Sequence, residues 1–299
     1  MGLGWFLQHW LRGMTGQAIR DTVTAAAHQQ IAGARQSAEE AAQCPRACDV
    51  GIVFALANES GGLEDLLEGL ITTRGDGFAI RQGQWRGRRV ALAISGAGRQ
   101  AASRAADALI LGHHPAHVIS AGFCGGLSPE VGRHEIVVAD SLTDAAGSLL
   151  ELDPSRVDPA LLVGPPKVHV GRLLTADQIA RGAAEKRGRG EKYRALAVDL
   201  ESFAVAEVCR REGLPLLVIR VVTDAVDDEL PREVERLIQQ KTRAARWGAA
   251  FAAILGRPSV VKDLYQLREN ALVASDRLAR FLTRLIERLA PAGNWVNCA

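Results

Sequence analysis

The stretch "AVDLESFAVAEVCRREGLPLLVIRVVTDAVDDE", residues 197–229, decides how the chain is read. A short apolar run (195–200) gives way to an amphipathic segment (202–212), then to a second apolar run rich in β-branched residues (215–222). That alternation predicts strand, helix, strand. Asp199 and Glu201 stand at the strand-to-helix turn, and Asp224 ends the next strand. Carboxylates at the ends of buried strands cost free energy unless they bind something. What they bind is the functional question.

Working outward, the same alternation fills residues 48–229. Further strands are predicted at 49–56, 88–95, 116–123, 135–140 and 168–174, and a helix at 98–114. Strands separated by helical patterns predict an α/β domain: three layers, α/β/α, around a mixed, mostly parallel twisted sheet. Residues 230–290 read as helical. In "ALVASDRLARFLTRLIERL" (271–289), Leu272, Ala279, Leu282, Ile286 and Leu289 form a stripe, with Arg277, Arg280, Arg284 and Glu287 largely off it, as in a helix laid on the sheet. Residues 1–47 form a predicted helical extension ending at "CPRACD" (44–49). Residues 48–299 form the domain, with about 231–262 a helical insertion. "EKRGRGEKYR" (185–194) is expected to be a solvated loop.

Composition excludes several classes. With 36 basic and 34 acidic residues the net charge is +2, so no concentrated basic face argues for nucleic acid. Five cysteines (Cys44, Cys48, Cys124, Cys209, Cys298) without a regular framework suggest reduced thiols and a cytoplasmic setting. Cys44 and Cys48 could form half of a metal site, but no second pair lies nearby, and the histidines His113, His114 and His117 have no metal-site spacing. No apolar run reaches the roughly 20 residues of a membrane span. Leu3, Phe6, Trp10 and Met14 recur at helical spacing, as a face that packs on protein or rests on a membrane surface; packing is the simpler reading.

In open α/β sheets, ligands gather beyond the carboxyl ends of strands. At such ends lie "ALANES" with Glu59, "SGAG" (95–98), "AGFCGGL" (121–127), and the carboxylates Asp199, Glu201 and Asp224. Singly, each has an ordinary structural reading: glycines as turn formers, Glu201 favoured by a helix dipole, Asp224 as an N-cap. Their order along the chain is more specific.

That order resembles the nucleoside phosphorylase and nucleosidase superfamily, most closely its methylthioadenosine/S-adenosylhomocysteine nucleosidase branch. The family's "GIIGAMEEE" is similar to "GIVFALANE", its "SGIGKVAA" to "SGAGRQAA", and its "TGSAGGL" to "AGFCGGL". Its "AVEMEA" is similar to "AVDLES" and its "VRAISD" to "IRVVTD". The resemblance covers about residues 49–229 and a terminal helix near 264–290. It implies that Glu59 and Asp224 are catalytic, with Glu201 and the backbone near Leu200 on the ribose. Gly125, Phe123, Ser95 and Ala97 would line the pocket, together with Ile179, Ala180 and Thr223. No metal or other cofactor is implied; the partner would be a purine nucleoside, and the protein a homo-oligomer, a dimer. Where the family has "SGDAFI", this chain has "TADQIA" (175–180), so Ile179 replaces an aromatic; Phe123 replaces a serine and could return a ring. Ala97 replaces a larger apolar residue, implying room for a bulkier 5′-group.

The expected reaction is hydrolysis of the N-glycosidic bond of a 5′-substituted adenosine, releasing adenine. Asp224, protonated in its pocket, would donate toward N7; Glu59 would deprotonate a water on the other face of the sugar. The carboxylate of "ANES", expected in the loop after the first strand, disfavours phosphate as nucleophile, Arg99 being the one cation these motifs place nearby. Three alternatives stay open: phosphorolysis, cleavage of an adenosylhopane-type lipid nucleoside, whose enzymes carry a similar glycine motif, and nucleoside binding without catalysis.

Overall fold

A computed structural model describes residues 48–180, 182–228 and 259–290. The expected helical extension over 1–47, with its stripe at Leu3, Phe6, Trp10 and Met14, lies outside them, as do residues 231–258 of the expected insertion.

Strand β1 (Cys48–Phe54) is buried at every position, as expected of a continuous apolar run covered on both faces. It lies parallel between β4 (Arg88–Ile94) and β5 (Pro115–Gly126). The long β5 also runs parallel to β10 (Leu216–Asp224), which is antiparallel to β6 (Ile136–Asp144). β6 pairs in parallel with β8 (Val168–Thr175), and β8 with β9 (Ala197–Asp199). β9 then returns, antiparallel, to Gly125 and Gly126 at the end of β5. Five strands therefore close on themselves, and the glycine-rich end of β5 and the end of β10, with Asp224 opposite Gly125, form one rim. The hairpin β2 (Glu68–Arg74) and β3 (Ala79–Trp85) extends the open side of the sheet through β4. A short β7 (Leu149–Glu151) lies on β6.

Helices cover both faces, giving the three layers expected. On one face α2 (Arg99–His113) and α4 (Ser202–Arg211) contribute Ala102, Ala105, Leu109, Phe203, Val205 and Val208 to the core. On the other, α1 (Ala57–Glu64) and α5 (Ser259–Arg288) contribute Leu63, Leu278, Leu282, Leu285 and Ile286. Among the described residues, no helix is long and apolar enough to cross a membrane.

Three expectations are corrected. The segment read as a solvated loop is a helix, α3 (Ala183–Tyr193), and its Lys186 is 0% exposed. "ALANES" continues into helix α1 rather than remaining a loop. In α5, Leu272 is 62% exposed and lies outside the buried stripe that includes Ala274, Leu278 and Leu282. Leu272 lies one residue off the face that Ala274, Leu278 and Leu282 define.

Candidate active site

Glu59 is the third residue of α1, and its Oε2 accepts the Leu56 N–H at the helix start at 2.8 Å. A glutamate folded back in this way is an ordinary capping device. Its other oxygen leaves the helix, however, and Oε1 accepts the Phe123 N–H of β5 at 2.9 Å. The two bonds fix the plane of the carboxylate against the rim. A Cβ on Gly122 would come within 2.8 Å of Oε1, so the approach requires glycine there. Burial raises the Glu59 pKa, opposed by these N–H bonds and by the Arg220 charge.

Glu201 occupies the N-cap position of α4 but does not cap it. Asp199 does so instead, accepting the Ser202 N–H at 3.1 Å. Glu201 is thereby freed to reach α2, where Oε1 accepts the Gly98 N–H at 2.8 Å. Gly98 has φ +97, open to glycine. Burial, then the negative charges of Asp199 and Glu59, push the Glu201 pKa up to about 8.

Asp224 reaches the same rim through a bulge. Between Val222 and Asp224 the register with β5 slips by one residue, setting Asp224 opposite Gly125. A Cβ on Gly125 would stand 3.1 Å from Oδ2. The Thr223 hydroxyl lies 2.9 Å from Oδ1 and 3.2 Å from the Cys124 carbonyl. Burial raises the Asp224 pKa, against the pull of Lys186, whose Nζ is 2.5 Å from Oδ2. Cys124, between Phe123 and Gly125, marks the convergence: the charges of Arg220, Asp224, Asp199 and Glu59 all act on its thiol, which burial holds well above the usual range.

Beneath the rim lies a buried ion pair. Arg220 Nε and Nη2 reach Asp199 Oδ2 at 2.8 and 2.7 Å, and Nη2 also donates to Ser120 and Ser202. Asp199 accepts the Thr175 hydroxyl at 2.8 Å. Asp199 is thus structural, and its partner Arg220 was not anticipated.

The remaining predicted residues vary in how closely they join this cluster. Leu200 donates its N–H to Glu201 Oε2 at 3.3 Å. Phe123 is half-buried beside Glu59, and Ala97 is exposed in the turn before α2. Ser95 is buried, with its hydroxyl committed to the carbonyls of Phe54 and Gly96, so it fastens the end of β4 to β1. Ile179 and Ala180 follow β8; among the described residues no hydrogen bond joins them to the three carboxylates. Sequence reasoning missed Lys186, Arg220 and the Gly98 N–H. Of these, Arg220 had a signal: a charge in the middle of an otherwise apolar strand needs a partner. Arg99 is engaged by Asp144 and Glu207, each at 3.7 Å, and lies over the Phe203 ring.

The raised Glu201 pKa has a consequence for stability. Its folded value, about 8, exceeds the ordinary glutamate value of 4.5. The folded form therefore holds the proton more tightly, and this stabilisation is full below about 4.5 and is lost as pH rises toward 8. Glu201→Gln cannot lose a proton, so its melting temperature should match wild type in mild acid and exceed it by several degrees, roughly 5 °C, near pH 8. Thermal melts of both proteins across that range check this; equal melting temperatures throughout would contradict it.

Comparison with known proteins agrees with the geometry. The model of the Phosphorylase superfamily matches residues 49–257. The 5′-methylthioadenosine/S-adenosylhomocysteine nucleosidase of Aeromonas salmonicida is 26% identical over 211 residues, covering 64% of this chain and 92% of that protein. The nucleosidase of the same name from Tolumonas auensis is 25% identical over the same shares. Among solved structures, the 5′-methylthioadenosine/S-adenosylhomocysteine nucleosidase of Colwellia psychrerythraea in complex with adenine has a TM-score of 0.64 at 18% identity, covering 85% of this chain and 100% of that chain. Futalosine hydrolase of Helicobacter pylori has a TM-score of 0.62 at 17% identity, covering 81% and 99%. At such identities the structures speak to the fold alone, whereas the family model takes in more than half of the sequence: the chain belongs to the phosphorylase superfamily.

Proposed function

We propose that the protein hydrolyses the N-glycosidic bond of a 5′-substituted adenosine and releases adenine. The observation that carries this reading is that three buried carboxylates gather at one place: Glu59 accepts the Phe123 N–H of β5, Asp224 lies against Gly125 two residues on, and Glu201 is close enough to Glu59 for their charges to act on each other. A binder needs no buried acid–base set, and burying three carboxylates costs stability. As the bond breaks, the ribose gains oxocarbenium character and the purine gains negative charge. A proton delivered through Asp224 toward N7 makes the base a better leaving group. Glu59, fixed by two N–H bonds and with lone pairs to spare, takes the proton of the attacking water. Glu201 holds the ribose hydroxyls.

Water is favoured over phosphate as nucleophile. A phosphate site needs an uncommitted cation, but Arg99 faces Asp144 and Glu207 and Arg220 faces Asp199, while Glu59 would repel the anion. The curated relatives are named as nucleosidases acting on 5′-thio-substituted adenosines, which fits this substrate class. Exposed Ala97 leaves space beside the ribose, in keeping with a 5′-group larger than methylthio. The reading includes a homodimer working in the cytoplasm, with Cys48, Cys124 and Cys209 as separate buried thiols.

A panel of adenosines differing only at C5′, from methylthio to a long-chain lipid, tests the proposal through adenine release with and without phosphate. Release independent of phosphate is expected. Strict phosphate dependence would make the protein a phosphorylase, preference for the lipid would identify a lipid nucleoside, and no release from any member would leave only binding.

A further inference from the structure

Lys186 is the buried charged group for which the reaction above has no use. It is fully enclosed in the domain, although it lies on a helix of Lys, Arg, Glu and Gly. Its Nζ has three acceptors: Asp224 Oδ2 at 2.5 Å, the Ala225 carbonyl at 2.9 Å and the Asp228 carbonyl at 2.8 Å. Three acceptors match the three hydrogens of an ammonium. Other charges nearby are paired among themselves. The Asp228 carboxylate takes Arg133 at 2.7 Å and the Ala225 N–H, Asp227 takes Arg187, and Glu185 takes Arg189. Asp224 Oδ1 faces the hydroxyl of its neighbour Thr223, which also reaches the Cys124 carbonyl. Lys186 and Asp224 are left to each other.

All three Nζ hydrogens find acceptors and one of them points at Asp224 Oδ2, so a proton on Lys186 stands ready to pass to Asp224. We infer that Lys186 is the proton source for the departing base, acting through Asp224; this rests on the hydrolytic reading above. As the C1′–N9 bond breaks and its electron pair passes to the purine, Asp224 delivers a proton to N7 and takes one from Lys186 Nζ at Oδ2. Water forms the new C1′–O bond and loses its proton to Glu59. The products are neutral adenine, the free sugar, an amine at Lys186 and a carboxylic acid at Glu59. Exchange with solvent restores both residues. Because it acts through Asp224, Lys186 is a positioning residue, and its burial keeps water from discharging the pair.

The test compares wild type, Lys186→Met and Lys186→Arg on two substrates: methylthioadenosine, and a 4-nitrophenyl 5-methylthioriboside whose leaving group needs no proton. Without the ammonium, Asp224 must carry its own proton, which burial favours and which is lost as pH rises. Lys186→Met should therefore approach wild-type kcat on methylthioadenosine near about pH 5 and fall about 10²-fold behind near about pH 9, with KM little changed. On the nitrophenyl riboside it should stay within a few-fold of wild type at both. Arginine keeps the charge but cannot release a proton, so Lys186→Arg should remain impaired on methylthioadenosine alone. Full activity of Lys186→Arg would reduce Lys186 to a fixed charge and overturn the inference. So would a loss in Lys186→Met that is equal on both substrates or independent of pH. If Lys186→Met fails to fold, the Lys186→Arg comparison decides. A wild type that releases no adenine at all would instead remove the hydrolytic reading on which the inference rests.

Discussion

Glu59→Gln should lower kcat for adenine release by about 10²–10⁴-fold, the usual loss when a positioned general base is removed. Glutamine has nearly the same shape but cannot accept the proton of the attacking water. Its amide nitrogen would also face either the Leu56 or the Phe123 N–H, where the carboxylate offers an oxygen to each. One of these bonds would be lost, at about 1 kcal/mol, offset by the smaller desolvation cost of a neutral group. The variant should therefore fold and bind substrate with KM little changed, so that the loss falls on kcat. Because burial raises the Glu59 pKa, the acidic limb of the wild-type kcat profile should lie above the ordinary glutamate range. Steady-state kinetics of both proteins across pH, with circular dichroism as a check on folding, measure this. A Glu59→Gln enzyme with wild-type kcat would mean that water is activated by some other group.

The strands that build the rim were legible because their signals are local. β1, β5 and β10 are largely apolar runs, and the carboxylates that follow β1 and end β10 stand out against that background. The glycines facing Glu59 and Asp224 were legible as turn formers, but not as the partners that those side chains need. α3 was not legible, since Gly188 and Gly190 are poor helix formers and its Lys and Arg residues suggest solvent. The burial of Lys186 has its cause 38 residues away, in Asp224. No local window contains both. α1 was missed for a related reason: "ANESGGLE" carries two glycines and one large apolar residue, and it is helical because Leu63 packs in the core with α5 and because Glu59 holds its start to β5. The β2–β3 hairpin lies at the margin, where alternation is weak and β2 is exposed throughout. What escaped the sequence is what depends on partners remote along the chain.

Arg220 offers the clearest test of that dependence. Arg220→Met keeps much of the side-chain volume but leaves Asp199 buried with only Thr175 and Ser202 to hold it. Removing one member of a buried ion pair costs about 3–5 kcal/mol, a fifth or more of the roughly 5–15 kcal/mol by which domains are stable. The melting temperature should fall by roughly 10–15 °C for a domain of this size. The cause would be the stranded charge rather than lost packing, so Arg220→Met/Asp199→Asn should recover a good part of the loss, since an amide without its partner costs far less than a carboxylate. Arg220 also lowers the pKa values of Glu59 and Glu201. Its removal should raise both, moving the acidic limb of activity in any folded fraction to higher pH. Differential scanning calorimetry of the single and double variants separates the possibilities. If the double variant is no more stable than Arg220→Met, the pair is not what holds this layer together, and the rim carboxylates must be supported by the strand packing around Ser120 and Ser202 instead.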